Sequence, residues 1–145
     1  MNAVEMEKLL LDLRACAEAR EWAKGKSLAE VWAECNRADW LCWLTGRMEG
    51  KAGWPTRKQI VLAACDCAEL ALPFVKKGEE RPRKAIETAR AWVRGEASID
   101  EVRTAAAAAA SYASAAAVKK QCLEIMRTQL RPRLLDAEAA HDPAR

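Results

Sequence analysis

The sequence predicts an all-α fold: a single-domain bundle of five to six helices with one long, alanine-rich helix near the C-terminus. Three observations carry that expectation. Alanine supplies 31 of the 145 residues, and it is the best helix former while burying little area. β-Branched residues are scarce and nowhere alternate over a useful length, which argues against a sheet. Three times a Ser or Thr is followed three residues later by Glu or Gln ahead of an apolar run, the signature of a helix-opening capping box. A chain of this length makes one domain with a core of its own. We expect that domain over residues 1–135, with a flexible tail over 136–145.

The elements follow in order. Met6, Leu9, Leu10, Leu13 and Ala17 recur at helical spacing and predict a first amphipathic helix from about Val4 to Lys24, stopped by Gly25. Ser27 and Glu30 open a short helix with Leu28, Val31, Trp32 and Cys35 on its apolar stripe. A third short helix holds DWLCWL, Asp39 to Leu44, and ends in the glycine-rich stretch from Gly46 to Gly53. Trp54-Pro55 turns the chain, and Thr56 with Gln59 opens a helix from Arg57 to Lys77. That helix is apolar most of the way round, as a central helix is, with Pro73 set to kink or end it. Pro82 suits the first turn of the next helix, whose inward face is Ile86, Ala89, Trp92 and Val93, with Gly95 after it. Ser98 and Glu101 launch the longest element, which runs through the alanine-rich stretch to Leu130 before Arg131-Pro132-Arg133 ends it.

Composition and motif searches exclude several classes. No run approaches the roughly 18 apolar residues of a membrane-crossing helix, and the acidic start with its brief apolar run is no secretory signal. The six cysteines sit among Ala and Leu in helical patterns, where free thiols act as small hydrophobes, so a reducing cytoplasm is the expected location. Residues 1–49 carry seven Lys/Arg against nine acids, whereas residues 50–145 carry seventeen against twelve. Acids interleave the basic stretches, and a net charge of +3 does not call for nucleic acid. Cys65 and Cys67 are two apart, no CxxC exists, and the sole histidine is His141 near the C-terminus. No metal site and no Cys–His or Ser–His–Asp constellation can be assembled from these residues. We expect no catalysis, no cofactor and no metal.

What stands above background is a polar and aromatic set on otherwise apolar faces. Asp39 begins DWLCWL, and Trp40 and Trp43 share a helix face at i, i+3. Asp66 lies inside the apolar run ACDCA, where an unpaired carboxylate is costly. Glu87 and Arg90 are spaced to pair along one helix. Arg81 and Arg83 flank Pro82 at a helix N-terminus, where the macrodipole disfavours cations and an anion is needed in compensation; Asp66, Glu79, Glu80 or a ligand would serve. Two readings stay open. The set is either a network of ion pairs and Trp contacts fixing helix packing, or a binding site of Trp40, Trp43, Arg81, Arg83, Arg90 and Trp92. Trp and Arg also dominate interface hot spots.

On these residues the chain resembles the putative immunity protein family of bacteria and tailed phages, small helical proteins related by name to the immunity partners of polymorphic toxins. The strings that carry the resemblance are DWLCWL (39–44), ACDCAELALP (64–73), RPRKAIETARAWVRGEAS (81–98), EVRTAAAAAA (101–110) and Cys122 ahead of LEIMRTQLRP. They span roughly residues 36–131; the first 35 residues carry no matching string. The resemblance implies a non-enzymatic inhibitor that protects a cell by binding a protein partner, a toxin or a host-defence protein. An alternative is a phage anti-defence protein that sequesters a nucleotide signal, with aromatic stacking on the base and Arg on phosphate. A helical nucleic-acid binder is the third reading. The alanine-rich helix also leaves a homodimer open.

Overall fold

A computed structural model describes residues 1–109 and 119–140, and all of its regular structure is helical. Nine α-helices and one turn of 3-10 helix lie among the described residues, more than the five or six expected. The excess has local causes, the clearest of them in the first helix.

That helix stops at Asp12 as α1 (Ala3–Asp12), and α2 (Ala17–Ala23) begins after a four-residue break. The break is a Schellman turn. The amide of Ala15 donates to the Leu10 carbonyl at 2.9 Å and that of Arg14 to Leu11 at 3.0 Å. Arg14 takes the left-handed conformation, φ 58°, that glycine normally fills there. With no glycine to mark it, the stop is silent in the sequence. Leu10 and Ala15, the apolar pair that closes such a turn, are both buried.

The chain divides into two compact units, Met1–Thr56 with Met126–Arg145, and Arg57–Ile125. In the first, Asn2 and Glu5 form a reciprocal capping box that opens α1. Ser27 and Glu30 do the same for α3 (Leu28–Glu34), as expected. Next come α4 (Ala38–Arg47) and a loop in which Gly50 and Gly53 adopt positive φ. The core is bulky: Met6, Leu28, Trp32, Leu41, Leu44 and Leu130 are all buried. Thr45 is fully buried too, its hydroxyl donating to the Leu41 carbonyl at 2.7 Å. Beyond Arg131-Pro132-Arg133, where the sequence suggested that order ends, α9 (Leu134–Ala140) follows. It is tied down by the Arg133 amide on the Gly53 carbonyl at 2.8 Å, with Pro132 and Leu135 buried.

The second unit holds α5 (Arg57–Ala71), α6 (Arg81–Val93), α7 (Ile99–Ala109) and the first part of α8 (Lys119–Gln129). Pro73 ends α5 six residues before the expected Lys77, and a 3-10 turn over Leu72–Phe74 follows. Proline removes one helical donor and disfavours helix at the residue before it. Helix α6 packs on both α5 and α7. Gly95 closes α6 in a second Schellman turn, its own amide on the Trp92 carbonyl and the Glu96 amide on that of Ala91. Ser98 and Glu101 cap α7 reciprocally. The middle of the expected long helix, residues 110–118, lies outside the described residues; its two ends are α7 and α8. Only Ala63 and Cys65 of α5 are buried, so α5 is less central than its apolar girdle suggested. That girdle is largely Ala and Cys, and the larger Leu62 remains 38% exposed.

Candidate functional site

The nine candidate residues divide between the two units. Asp39, Trp40 and Trp43 stand on α4 in the first; Asp66, Arg81, Arg83, Glu87, Arg90 and Trp92 stand on α5 and α6 in the second.

In the first unit, α1 to α4 enclose a cup of about 430 Å³. Its floor is buried and apolar, made by Met6, Leu10, Ala23, Val31, Leu41 and Leu44. Its walls carry Trp22, Trp40 and Trp43, and Arg14 and Asp39 line its exposed rim. The Trp22 and Trp40 rings sit 6.0 Å apart, tilted by 55°, a favourable aromatic geometry. Each ring also carries a cation, Lys26 at 5.4 Å over Trp22 and Arg37 at 4.5 Å over Trp40.

Arg37, just before α4, grips Asp39 with two bonds of 2.9 and 2.7 Å. Those bonds, with the guanidinium charge, hold the Asp39 carboxyl below its ordinary range. Asp39 is therefore a neutralised rim group. Sequence reasoning picked out the α4 residues but missed Trp22 and Arg14. Trp22 stands alone among charged neighbours, and Arg14 lies in the break between α1 and α2, which the sequence does not mark.

In the second unit the ion-pair reading describes what Arg90 does. Its Nη2 donates to Asp66 at 2.9 Å and to Glu69 at 2.8 Å, tying α6 to α5. Arg90 thus turns to α5 instead of along α6 to Glu87. Asp66 is 40% exposed at its side chain, which removes the penalty its apolar neighbours suggested. Glu69, missed by the sequence reading, lies one turn from Asp66 and shares the same cation.

At the start of α6 the compensating anions are internal. Glu79 accepts two bonds from Arg81, each 2.7 Å, and Glu80 lies 4.0 Å from Arg83. Glu87 lines an open groove of about 900 Å³ along α6 and α7, together with Arg81, Lys84, Arg94 and Asp100. Trp92 is half-buried. Among the described residues of this unit, the largest exposed apolar side chain is Phe74, 66% accessible.

Bonding to Arg90, reinforced by its charge, holds the Glu69 carboxyl below its ordinary value. Stability from this pairing is therefore present above the carboxyl's unfolded pKa and lost as pH falls through the lower folded one. We expect Arg90→Met to flatten the fall of Tm between about pH 5 and pH 3. Parallel melts of the two proteins check this, and parallel slopes would reject it.

The buried thiols are quiet. Burial pushes Cys35 and Cys65 up, keeping them protonated and unreactive at neutral pH. Cys67 and Cys122 donate to each other's backbone carbonyls at 3.9 Å, a reciprocal contact between α5 and α8. Among the described residues no group of three His, Cys, Asp or Glu is placed to hold a metal, and no helix is long and apolar enough to cross a membrane. His141 lies outside the described residues.

These features define an all-helical protein whose α6 is ion-paired to α5 and packs against α7. Residues 54–126, half of the chain, match the model of the family described as Imm-5 like putative immunity protein, and the chain belongs to that family. No curated protein and no solved structure matches it. The matched segment is nearly coextensive with the second unit, Arg57–Ile125. The DWLCWL string lies outside the match.

Proposed function

We propose that this chain is a non-catalytic, immunity-type inhibitor that neutralises a protein partner, a toxin or a host-defence protein, by direct binding. The observation that carries this reading is the family match falling on one compact unit, Arg57–Ile125. We assign the contact surface to the α6–α7 groove of that unit. Its lining offers both signs of charge, Lys84 and Arg94 with the acids Glu87 and Asp100. A charged lining of this kind steers a partner and fixes its register.

Co-expression with the product of the neighbouring gene tests the reading. Growth should be restored and the two proteins should co-elute. Lys84→Glu combined with Arg94→Glu should keep the Tm yet weaken the complex about ten-fold at low salt, largely through the association rate. A complex indifferent to that double reversal would move the surface elsewhere on the chain. Absence of both complex and protection would reject the immunity reading for that partner.

A further inference from the structure

The cup of the first unit lies wholly outside the family-matched segment and is independent of the inhibitor reading. At about 430 Å³ it has the size of a small-molecule site, lined mainly by apolar and aromatic groups with a few polar ones. Three tryptophans on its walls favour a flat ring, since offset and edge-to-face contacts between aromatic rings add to simple burial.

The rim adds the polar requirement. Asp39 is engaged by Arg37, so its charge is neutralised within the protein. Arg14 is different. It occupies the left-handed C-terminal position of α1, where glycine would be least strained, and it lines the cup as an exposed cation. A guanidinium beside an aromatic cavity suits one carboxylate, which it can bind through two parallel bonds.

We propose that this cup binds a planar aromatic carboxylate of one or two fused rings, the ring among Trp22, Trp40 and Trp43 and the carboxylate on Arg14. Titration of the full chain with indole-3-acetate, with 2-naphthoate and with uncharged indole tests this by amide and indole N–H NMR. Each of the six tryptophans carries one indole N–H to follow. Those of Trp22, Trp40 and Trp43 should shift saturably with either carboxylate while those of Trp32, Trp54 and Trp92 stay in place. Saturating ligand should also raise the Tm, because it binds only the folded state.

Arg14→Met should weaken both carboxylates about ten-fold or more, the loss expected for a charge-assisted bond, and leave indole unchanged. Ala19→Phe, which fills the cup, should abolish binding. Trp43→Ala, at an exposed wall, should weaken binding while preserving the fold even if the filled variant does not fold. Failure of both carboxylates to bind in the millimolar range overturns the proposal. So does binding that survives both cup variants, and equal affinity for indole with no effect of Arg14→Met overturns the carboxylate assignment.

Discussion

Trp32→Ala is expected to cost about 3–5 kcal/mol of unfolding free energy, the range for removing a large buried aromatic side chain. Trp32 is 2% exposed in the core of the first unit. It also does a second job. Its indole N–H donates at 3.0 Å to the carbonyl of Arg127, within the last turn of α8, where backbone acceptors have no helical partner. The Arg127 guanidinium returns a bond to the Cys35 carbonyl just past α3. Trp32→Phe separates the two contributions. It keeps most of the ring volume but strands the Arg127 carbonyl, at a cost of about 1–3 kcal/mol. Urea unfolding measures both, and a midpoint shift at constant slope is the expected form. A Phe variant as stable as the parent would show that the hydrogen bond contributes nothing.

Gly53→Ala should be the next most damaging change, about 2–3 kcal/mol when left-handed strain is combined with a forced contact. Gly53 has φ 80°, and a Cβ there would meet the Leu134 Cβ at 3.1 Å and its backbone nitrogen at 3.4 Å. Its carbonyl also holds the Arg133 amide that sets α9 in place. Gly95→Ala is the control. It shares the positive φ of 78° but has open space around the added methyl, so it should lose only the conformational part, about 1–2 kcal/mol. Equal losses at the two positions would show that the Leu134 contact is absorbed without strain.

How much of this was legible in the sequence follows from the range of the signals. The Ser27 and Ser98 capping boxes, the Gly95 stop and the Pro73 break are local, written in residues a few positions apart, and they occur as read. The division of the first helix was hidden because Arg14 does what glycine usually does. Helix α9 was hidden because Pro132 reads as an ending, whereas its burial and the Arg133–Gly53 bond depend on a segment about 80 residues away. The candidate residues were legible as types and not as partners. In the sequence Asp66 and Arg90 stand out separately, and only the packing of α6 on α5 makes them a pair. The i, i+3 spacing joins Trp40 and Trp43, but the cup needs Trp22 from α2, which no spacing rule connects to α4. The family resemblance reached across both units by its strings, whereas the family match rests on the second.

The division of the chain has a consequence for its synthesis. The second unit is one continuous stretch, whereas the first is assembled from both ends of the sequence, Met1–Thr56 and Met126 onward. Domains fold as they emerge from the ribosome, N-terminal parts first. The family module is therefore fully translated while α1 to α4 still lack the Arg127 carbonyl, Leu130 and Leu135. A nascent chain stalled before Met126 would leave the Trp32 indole N–H without its Arg127 acceptor until the last segment arrives.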